Sequence, residues 1–182
     1  MSPTIPSTGR LGSLAKTIAE ETNNDVLNKL FENYKTSLKG EELSNWVLKM
    51  LNNLEEMAGS EKTIKIIEQD GRKSCGKGFK NTVIRLMEKS DSIQDFVNNL
   101  QEHYKRSSFF EYVDDKTIIG GHNKCYMMIK SAKKPIDSLT FCHFCVGHGK
   151  EFYGAGLERP VDAEIIETVM TGGQTCKFKF KF

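Results

Sequence analysis

Thiol and imidazole side chains are concentrated at the start of the last quarter of the chain. Cys142 and Cys145 form a CxxC pair, and His148 extends the pattern to CxxCxxH. On a helix, residues three positions apart lie on neighbouring faces, so all three side chains can line one side of the first turns. A helix N-terminus favours the thiolate form of cysteine, which is the form that binds metals. The spacing therefore indicates a metal or redox site, although a single CxxC is a weak signal.

Two further cysteines can complete such a site. Cys125 begins a predicted strand, and Cys75 lies where glycines are predicted to end a helix. Four thiolates satisfy tetrahedral zinc, and three thiolates with His148 do so as well. An iron–sulfur cluster on the same cysteines is less favoured, because their spacing matches no ferredoxin pattern. We therefore predict one transition-metal ion, zinc, bound by Cys75, Cys125, Cys142 and Cys145.

The alternative is that these cysteines are core residues, since free cysteine is among the most buried residue types. This interpretation is favoured for Cys176, which shares one strand face with Phe178, Phe180 and Phe182. For Cys75 the metal and core interpretations are about equally supported. Cys176 is therefore left out of the predicted metal site.

Among the four histidines, His148 is the best candidate for catalysis. Gly147 and Gly149 on either side of it allow backbone or a ligand to approach closely. Glu151 lies three residues later and can orient the imidazole or carry a proton, although a solvated glutamate is the common case. Glu167 would be a buried carboxylate in need of a partner only if its strand face points inward. We expect His148 and Glu151 to be the catalytic residues if the protein is an enzyme.

Hydrophobic periodicity predicts five helices before this cluster. The strongest covers residues 43–57, where apolar side chains recur at helical spacing. The other four cover residues 23–38, 61–75, 79–87 and 93–104. Residues 1–22 hold two prolines, two glycines and many serines and threonines, so we predict a flexible N-terminal tail. The remaining residues, 23–182, are expected to form a single domain.

The apolar pattern changes to a period of two near Ser107. Three strands are predicted at residues 109–113, 117–119 and 125–129, followed by a loop and then the helix after Cys142. A β-hairpin is predicted to pair residues 161–170 with 174–182 through a tight Gly-Gly turn. The fold class is therefore α+β, with N-terminal helices packed on an antiparallel sheet and a C-terminal helix and β-hairpin.

The stretch 141–182 also resembles a known family. A cysteine at a helix start, a Gly-rich helix, a loop with Pro160, a strand with Glu167-Thr168 and then Cys176-Lys177-Phe178 follow one another. This order is similar to the C-terminal end of the 4-vinyl-reductase domain family and of L-2-amino-thiazoline-4-carboxylic acid hydrolase-like proteins. That superfamily is also similar to the small subunits of the TRAPP vesicle-tethering complex. The chain departs from the vinyl-reductase pattern at Met170, where a further cysteine is usual.

The resemblance implies three functions. The first is a metal- and small-molecule-binding domain of the vinyl-reductase type, with a ligand cavity between helices and sheet. The second is a hydrolase that opens a small heterocycle at a cyclic amidine-type C–N bond, with water activated by a metal or by His148 and Glu151. The third is a homodimeric interaction module of the TRAPP type. Whether the protein is an enzyme stays open at this point.

The bulk properties exclude some partners. A net charge of +2 gives no reason to expect nucleic acid or an anionic membrane. The chain has no apolar run of transmembrane length and no apolar segment of signal-peptide type at its start. Its five cysteines, an odd number, argue against a disulfide framework. We therefore expect a cytoplasmic protein that binds a small-molecule ligand or substrate. The amphipathic helix around Trp46, together with the resemblance to a superfamily with helical dimer surfaces, leads us to expect a homodimer.

Overall fold

A computed structural model describes residues 3–182 of the chain. These residues form seven α-helices and four strands, in the order six helices, two strands, one helix and two strands. The helices are α1 (Gly9–Glu21), α2 (Asn24–Phe31), α3 (Gly40–Ala58), α4 (Ser60–Ser74), α5 (Lys77–Glu88), α6 (Ile93–Tyr104) and α7 (His143–Leu157). The strands are β1 (Phe109–Asp114), β2 (Thr117–His122), β3 (Asp162–Glu167) and β4 (Cys176–Lys181).

The four strands form one antiparallel sheet in the order β1-β2-β4-β3. The helix α7 follows β2 and precedes β3 in the chain, and it packs against the inner face of this sheet. The predicted α+β class, with N-terminal helices on an antiparallel sheet and a C-terminal helix and hairpin, is confirmed.

The hairpin β3–β4 has the predicted inner face. Phe178 pairs with Ile165 and Phe180 pairs with Ala163, and both phenylalanines are buried, whereas Lys179 between them points away. The connection is longer than the predicted tight turn. The side chain of Thr168 caps a short 3₁₀ turn over residues 169–171, and Gly172 then adopts φ of 97°. A residue at this φ needs glycine, which explains the position of the Gly-Gly pair after the 3₁₀ turn rather than between two strands.

Two helix starts follow from local side-chain hydrogen bonds. The side chain of Asn23 accepts from the backbone N–H of Val26, and Ser92 accepts from the N–H of Asp95. Both are N-cap arrangements, in which a short polar side chain satisfies an unpaired helix N–H. The helix predicted over 23–38 ends early, at Phe31, and Gly40 begins α3 instead of ending the helix before it.

The predicted N-terminal tail is largely a helix. Within α1, Leu14 and Ile18 are completely buried, and they pack in the core with residues of α2, α3 and α4. Ser13 donates a hydrogen bond of 2.6 Å to the carboxyl group of Asp70 on α4, which ties the helix down further. The prediction of a tail is therefore wrong for residues 9–21, while residues 1–2 lie outside the described residues. Serine, threonine and glycine between the apolar positions concealed an amphipathic helix.

The segment 125–129, predicted as a strand, joins no sheet. It forms turns that are held against α3 by the buried Ser44, whose hydroxyl donates to the carbonyl of Met128 at 2.7 Å and accepts from the N–H of Ser131. The Ser44 side chain thus satisfies a backbone carbonyl and a backbone N–H that would otherwise need a hydrogen bond from a neighbouring strand.

The helices α4 and α7 approach each other unusually closely. A Cβ on Gly147 would stand 1.9 Å from the carbonyl oxygen of Glu68, and a Cβ on Gly71 would stand 2.1 Å from that of Phe144. Only glycine fits at either position. The contact divides the interior into two clusters of buried side chains, one among α1–α4 and one between α5–α7 and the sheet.

None of the helices among residues 3–182 is both long enough and apolar enough to cross a membrane.

Candidate functional site

An apolar cavity of about 520 Å³ lies between α7 and the inner face of the sheet. This volume is within the range of small-molecule sites. Most of its wall is aromatic, with rings from α5, α7, β1 and β4. These rings belong to Phe79, Phe110, Phe144, Phe152, Phe178 and Phe180. The few polar groups in the wall therefore decide which ligands the cavity can hold.

His148 reaches the cavity from α7, and its hydrogen bonds fix its tautomer. Its Nδ1 lies 3.1 Å from the hydroxyl oxygen of Ser74, the last residue of α4. That hydroxyl donates its single hydrogen to the carbonyl of Gly71 at 2.6 Å. The hydroxyl oxygen must therefore accept from His148, which places the imidazole proton on Nδ1 and leaves a lone pair on Nε2.

His122 reaches the same cavity from the end of β2 and has the same tautomer. Its Nδ1 lies 3.3 Å from the carbonyl oxygen of Ser107 and 3.1 Å from the hydroxyl of Ser108. A carbonyl oxygen can only accept, so Nδ1 carries the proton and Nε2 has the lone pair. The helix wall and the sheet wall thus each supply one imidazole with a free Nε2.

Both imidazoles are neutral at physiological pH. Burial is the main cause that lowers the pKa of His148 to about 4, and the neighbouring His122 and Arg10 contribute to the same shift. Burial also lowers the pKa of His122, partly opposed by its hydrogen bond to the Ser107 carbonyl. Neutral imidazole is the form that accepts a hydrogen bond or ligates a metal.

Tyr153 is the most deeply buried polar side chain of the wall, with 3% of its surface exposed. Its hydroxyl lies over Gly120, where a Cβ would stand 2.6 Å from the oxygen. Burial raises the pKa of this phenol strongly, so it stays protonated and can donate. No protein group within residues 3–182 hydrogen-bonds to this hydroxyl or to either Nε2. Since no fully buried side-chain nitrogen or oxygen there lacks a partner, these three atoms keep some accessible surface, and all three residues line the cavity.

Arg10 of α1 adds a positive charge at the cavity wall. Its guanidinium donates to the sulfur of Met127 at 3.3 Å and lies 5.8 Å from the centre of the Phe144 ring. A thioether is a weak acceptor, and no carboxylate of the described residues pairs with this guanidinium. The group is therefore free to meet an anionic part of a ligand.

The structure brings together only some of the cysteines predicted to bind metal. Cys125, Cys142 and Cys145 line a second, much smaller chamber of about 20 Å³, and Cys176 lines it with them. Cys75 lies elsewhere, in the core between α5–α7 and the sheet. Cys176 is buried in the core with Phe178 and Phe180 and also lines this chamber, whereas Cys75 does not line it.

The predictions of zinc and of an iron–sulfur cluster are wrong. Within residues 3–182, no three His, Cys, Asp or Glu side chains are arranged to hold a metal ion. Burial raises the pKa of Cys142 to about 11 and that of Cys145 still further, so the metal-binding thiolate is disfavoured. Cys142 is the last residue of a 3₁₀ turn that runs directly into α7, and its side chain is buried, so loss of solvation outweighs the helix dipole.

The two residues predicted to be catalytic are not partners. Glu151 faces away from the cavity, where its carboxylate pairs with Lys80 and lies 3.5 Å from the guanidinium of Arg72. His148 hydrogen-bonds to Ser74 instead. The carboxylate of Glu167 accepts from the backbone N–H and the hydroxyl of Thr175, so it has a local structural role.

Sequence reasoning missed Ser74, His122 and Tyr153 as site residues. The sequence Gly-Gly-His-Asn around His122 indicates only a turn, in which a histidine has a local role. The two glycines before it were the available signal, because a side chain on Gly120 would occupy the place of the Tyr153 hydroxyl.

Residues 12–181 match the family described as "Family of unknown function (DUF6144)". The chain belongs to this family. Because the match extends from α1 to β4, the DUF6144 unit includes every element that lines the cavity. No curated protein matches this chain.

Solved structures similar to this DUF6144 chain are H-NOX domains. A mutant structure of T. Tengcongensis H-NOX is 15% identical, covers 94% of both chains and has a TM-score of 0.51. A Cs H-NOX mutant carrying 4-cyano-L-phenylalanine is 16% identical, also with 94% coverage of both chains and a TM-score of 0.51. A third structure, described as probing the function of heme distortion in the H-NOX family, has 16% identity and a TM-score of 0.49. At these identities the likeness shows the fold alone.

These comparisons correct the family suggested by the C-terminal residues. The match is to DUF6144 and the structural neighbours are H-NOX domains, not 4-vinyl-reductase or aminothiazoline-carboxylate hydrolase proteins. The zinc-binding vinyl-reductase function, the heterocycle hydrolase and the TRAPP-like module depended on that resemblance, and they lose their support with it. A short run of glycines, cysteines and a hairpin is common to several α+β folds and did not distinguish among them.

Proposed function

We propose that this DUF6144 domain binds a small, largely apolar molecule in the cavity between α7 and the sheet. The observation that carries the proposal is the hydroxyl of Tyr153, which is deeply buried, has no protein partner and opens on the cavity. Because this hydroxyl opens on an apolar cavity, it can donate to a ligand, and such a hydrogen bond contributes about 0.5–1.5 kcal/mol.

The wall chemistry describes the ligand. Six phenylalanine rings suit a flat apolar body, and they exclude a strongly hydrated one. Tyr153, His122 and His148 would contact its few polar atoms, and Arg10 would meet a carboxylate if the ligand has one. This combination of an apolar wall and a few convergent polar groups is typical of ligand sites.

Two measurements test the proposal. Native mass spectrometry of the protein purified from cells should reveal a bound molecule, and calorimetric titration with 2-naphthol should give a saturable 1:1 isotherm. Tyr153→Phe, which removes only the hydroxyl, should weaken 2-naphthol binding several-fold. Lys179→Gln on the outer face of the sheet is the matched control and should leave affinity unchanged. Absence of both a co-purified molecule and saturable binding would reject the proposal.

Heme is a specific ligand that this wall could accommodate. An imidazole nitrogen is one of the protein ligands that heme iron takes, and a metal-ligating histidine generally donates its other ring N–H to the protein. Both His122 and His148 have this arrangement, with Nδ1–H engaged and Nε2 free. Heme would supply a Lewis-acidic iron, while the phenylalanine rings would bury the macrocycle and Arg10 would contact a carboxylate.

Titration with hemin distinguishes heme from other apolar ligands. Specific binding should shift the Soret band, and either His148→Ala or His122→Ala should change the spectrum of the bound form. A Soret band that is identical in the wild type and both variants would show that no imidazole ligates the iron, and would leave metal-free ligands as the occupants.

Twofold self-association and a cytoplasmic location stay predictions. The aromatic side chain chosen as a dimer contact, Trp46, packs internally, with its ring centre 5.2 Å from Phe31 and 5.0 Å from Tyr34. Light scattering at micromolar concentration tests the dimer, and fractionation of cells that produce the protein tests the location.

A further inference from the structure

We infer that Ser74 fixes the tautomer of His148, so that the cavity selects ligands presenting a hydrogen-bond donor to the imidazole Nε2. Ser74 is thus a positioning residue that acts through His148. This inference rests on the proposed function, because it names the chemical class of the ligand in the same cavity.

The first step concerns the end of α4. The last carbonyl groups of a helix have no partner within it. The hydroxyl of Ser74 satisfies one of them, the carbonyl of Gly71, at 2.6 Å. This bond uses the only hydrogen of the hydroxyl, so toward His148 the oxygen can only accept.

The second step concerns the rigidity of the pair. Ser74 and His148 lie on two different helices, and the backbone contact of Gly71 and Gly147 holds these helices together one turn away. The ring of Phe79 adds an edge-to-face contact with the imidazole, at 5.2 Å between ring centres. Moving the imidazole proton to Nε2 would require the Ser74 hydroxyl to donate to Nδ1, which would break its bond to the Gly71 carbonyl at the end of the helix.

The third step concerns the ligand. With protons held on Nδ1, His148 and His122 both present acceptors to the cavity, whereas Tyr153 presents a donor. A ligand hydroxyl or ring N–H can donate to an imidazole, and a hydroxyl can also accept from the phenol. Ligands of the same shape with only acceptors, such as ethers, leave Nε2 unpaired. The preferred class is therefore a flat apolar molecule with a hydroxyl or ring N–H.

A matched pair of probes tests the selection. 2-Naphthol and 2-methoxynaphthalene share one ring system and differ in the donor. Calorimetry with the wild-type protein should give about tenfold tighter binding of 2-naphthol, the effect of one hydrogen bond in a dry site. Equal affinities would overturn this inference and leave the proposed function standing. Failure of both probes to bind would count against the selection and the proposed function together.

Nitrogen NMR of the imidazoles tests the role of Ser74 without any ligand. In the wild type, ¹⁵N shifts should show His148 protonated on Nδ1. Ser74→Ala should produce a tautomer mixture and reduce the preference for 2-naphthol to about threefold or less, whereas Ser74→Thr, which keeps the hydroxyl, should restore both. Ser90→Ala is the control, because Ser90 also donates to a helix-end carbonyl, that of Leu86 at 2.7 Å, but lies outside the cavity wall. A proton on Nε2 in the wild type, or an unchanged tautomer in Ser74→Ala, would overturn the inference.

Discussion

Gly147 on α7 touches the backbone carbonyl of Glu68 on α4 so closely that a Cβ would stand 1.9 Å from the oxygen. The neighbour is backbone within a helix and cannot rotate away. The distance between α4 and α7 therefore determines where His148 lies in the cavity wall. This short distance is possible only because Gly147 has no side chain.

We expect Gly147→Ala to destabilise the fold by about 3 kcal/mol or more, because the helices must separate and lose packed surface. Chemical denaturation measures the loss. Gly78→Ala in α5 is the control, since a Cβ there meets no atom within 4 Å and alanine favours a helix by about 1 kcal/mol. Equal stability of the wild type and Gly147→Ala would contradict the close contact.

A truncated side chain in α1 tests whether this helix belongs to the core. Leu14 is completely buried among the N-terminal helices. We expect Leu14→Ala to cost about 2–5 kcal/mol, as for other large-to-small changes in a core. Lys16→Ala, at an exposed position of the same helix, should change stability by less than about 0.5 kcal/mol. Matching small effects of the two substitutions would mean that residues 9–21 are a tail after all.

Stability should fall in mild acid because of His148. Its ordinary pKa of 6.5 applies in the unfolded chain, whereas burial lowers it to about 4 in the folded protein. Between these two pKa values the unfolded chain binds more protons than the folded protein does. The contribution of neutral His148 to the free energy of unfolding is therefore complete above pH 6.5 and is lost as the pH falls toward 4. The loss is about 2–3 kcal/mol. Arg10 and His122 also face the His148 imidazole, and they lower its pKa as burial does.

The comparison that isolates this effect is the wild type against His148→Gln, unfolded by denaturant at several pH values between 4 and 7.5. The difference in unfolding free energy between the two proteins should change across this window. A difference that is constant with pH would show that His148 titrates normally in the folded state.

The buried thiols should be unreactive and independent of metal. Burial raises the pKa of Cys75 and of Cys142 to about 11, so few thiolates are present at pH 7.5. We expect Ellman's reagent to react slowly with the folded protein and with all five cysteines after unfolding. EDTA should leave the melting temperature unchanged. A drop in melting temperature with EDTA that zinc reverses would restore the metal site.

Local signals predicted much of this fold, and long-range contacts account for most of what they missed. The inward positions of Phe178 and Phe180 follow from the alternation of residues along one strand, so the sequence pattern alone was sufficient. The segment 125–129 resembles a strand, but its backbone is satisfied by Ser44 of a distant helix. A cavity between helices and sheet was implied only by the family resemblance, and residue patterns could not predict its wall, because that wall depends on glycine contacts between helices far apart in the chain.

In the candidate site, too, features with a local sequence signal were predicted and features that depend on long-range contacts were missed. His148 was selected from its flanking glycines, but its partner Ser74 lies on another helix, and no local pattern connects the two. The cysteines were given a role from their spacing, which contains no information about burial. Burial decides their protonation, and it follows only from the complete packing of α7 on α4 and the sheet.

The strand order β1-β2-β4-β3 has a consequence for biosynthesis. Strand β4 lies between β2 and β3, yet it is the last element of this domain to leave the ribosome. Until residues 176–181 emerge, β2 has an unpaired edge and the rings of Phe178 and Phe180 are missing from the cavity wall. The nascent domain therefore cannot close its sheet or form its ligand site in stages, and long-range pairing of this kind makes folding slow. The cavity wall is complete only after this final strand is in place.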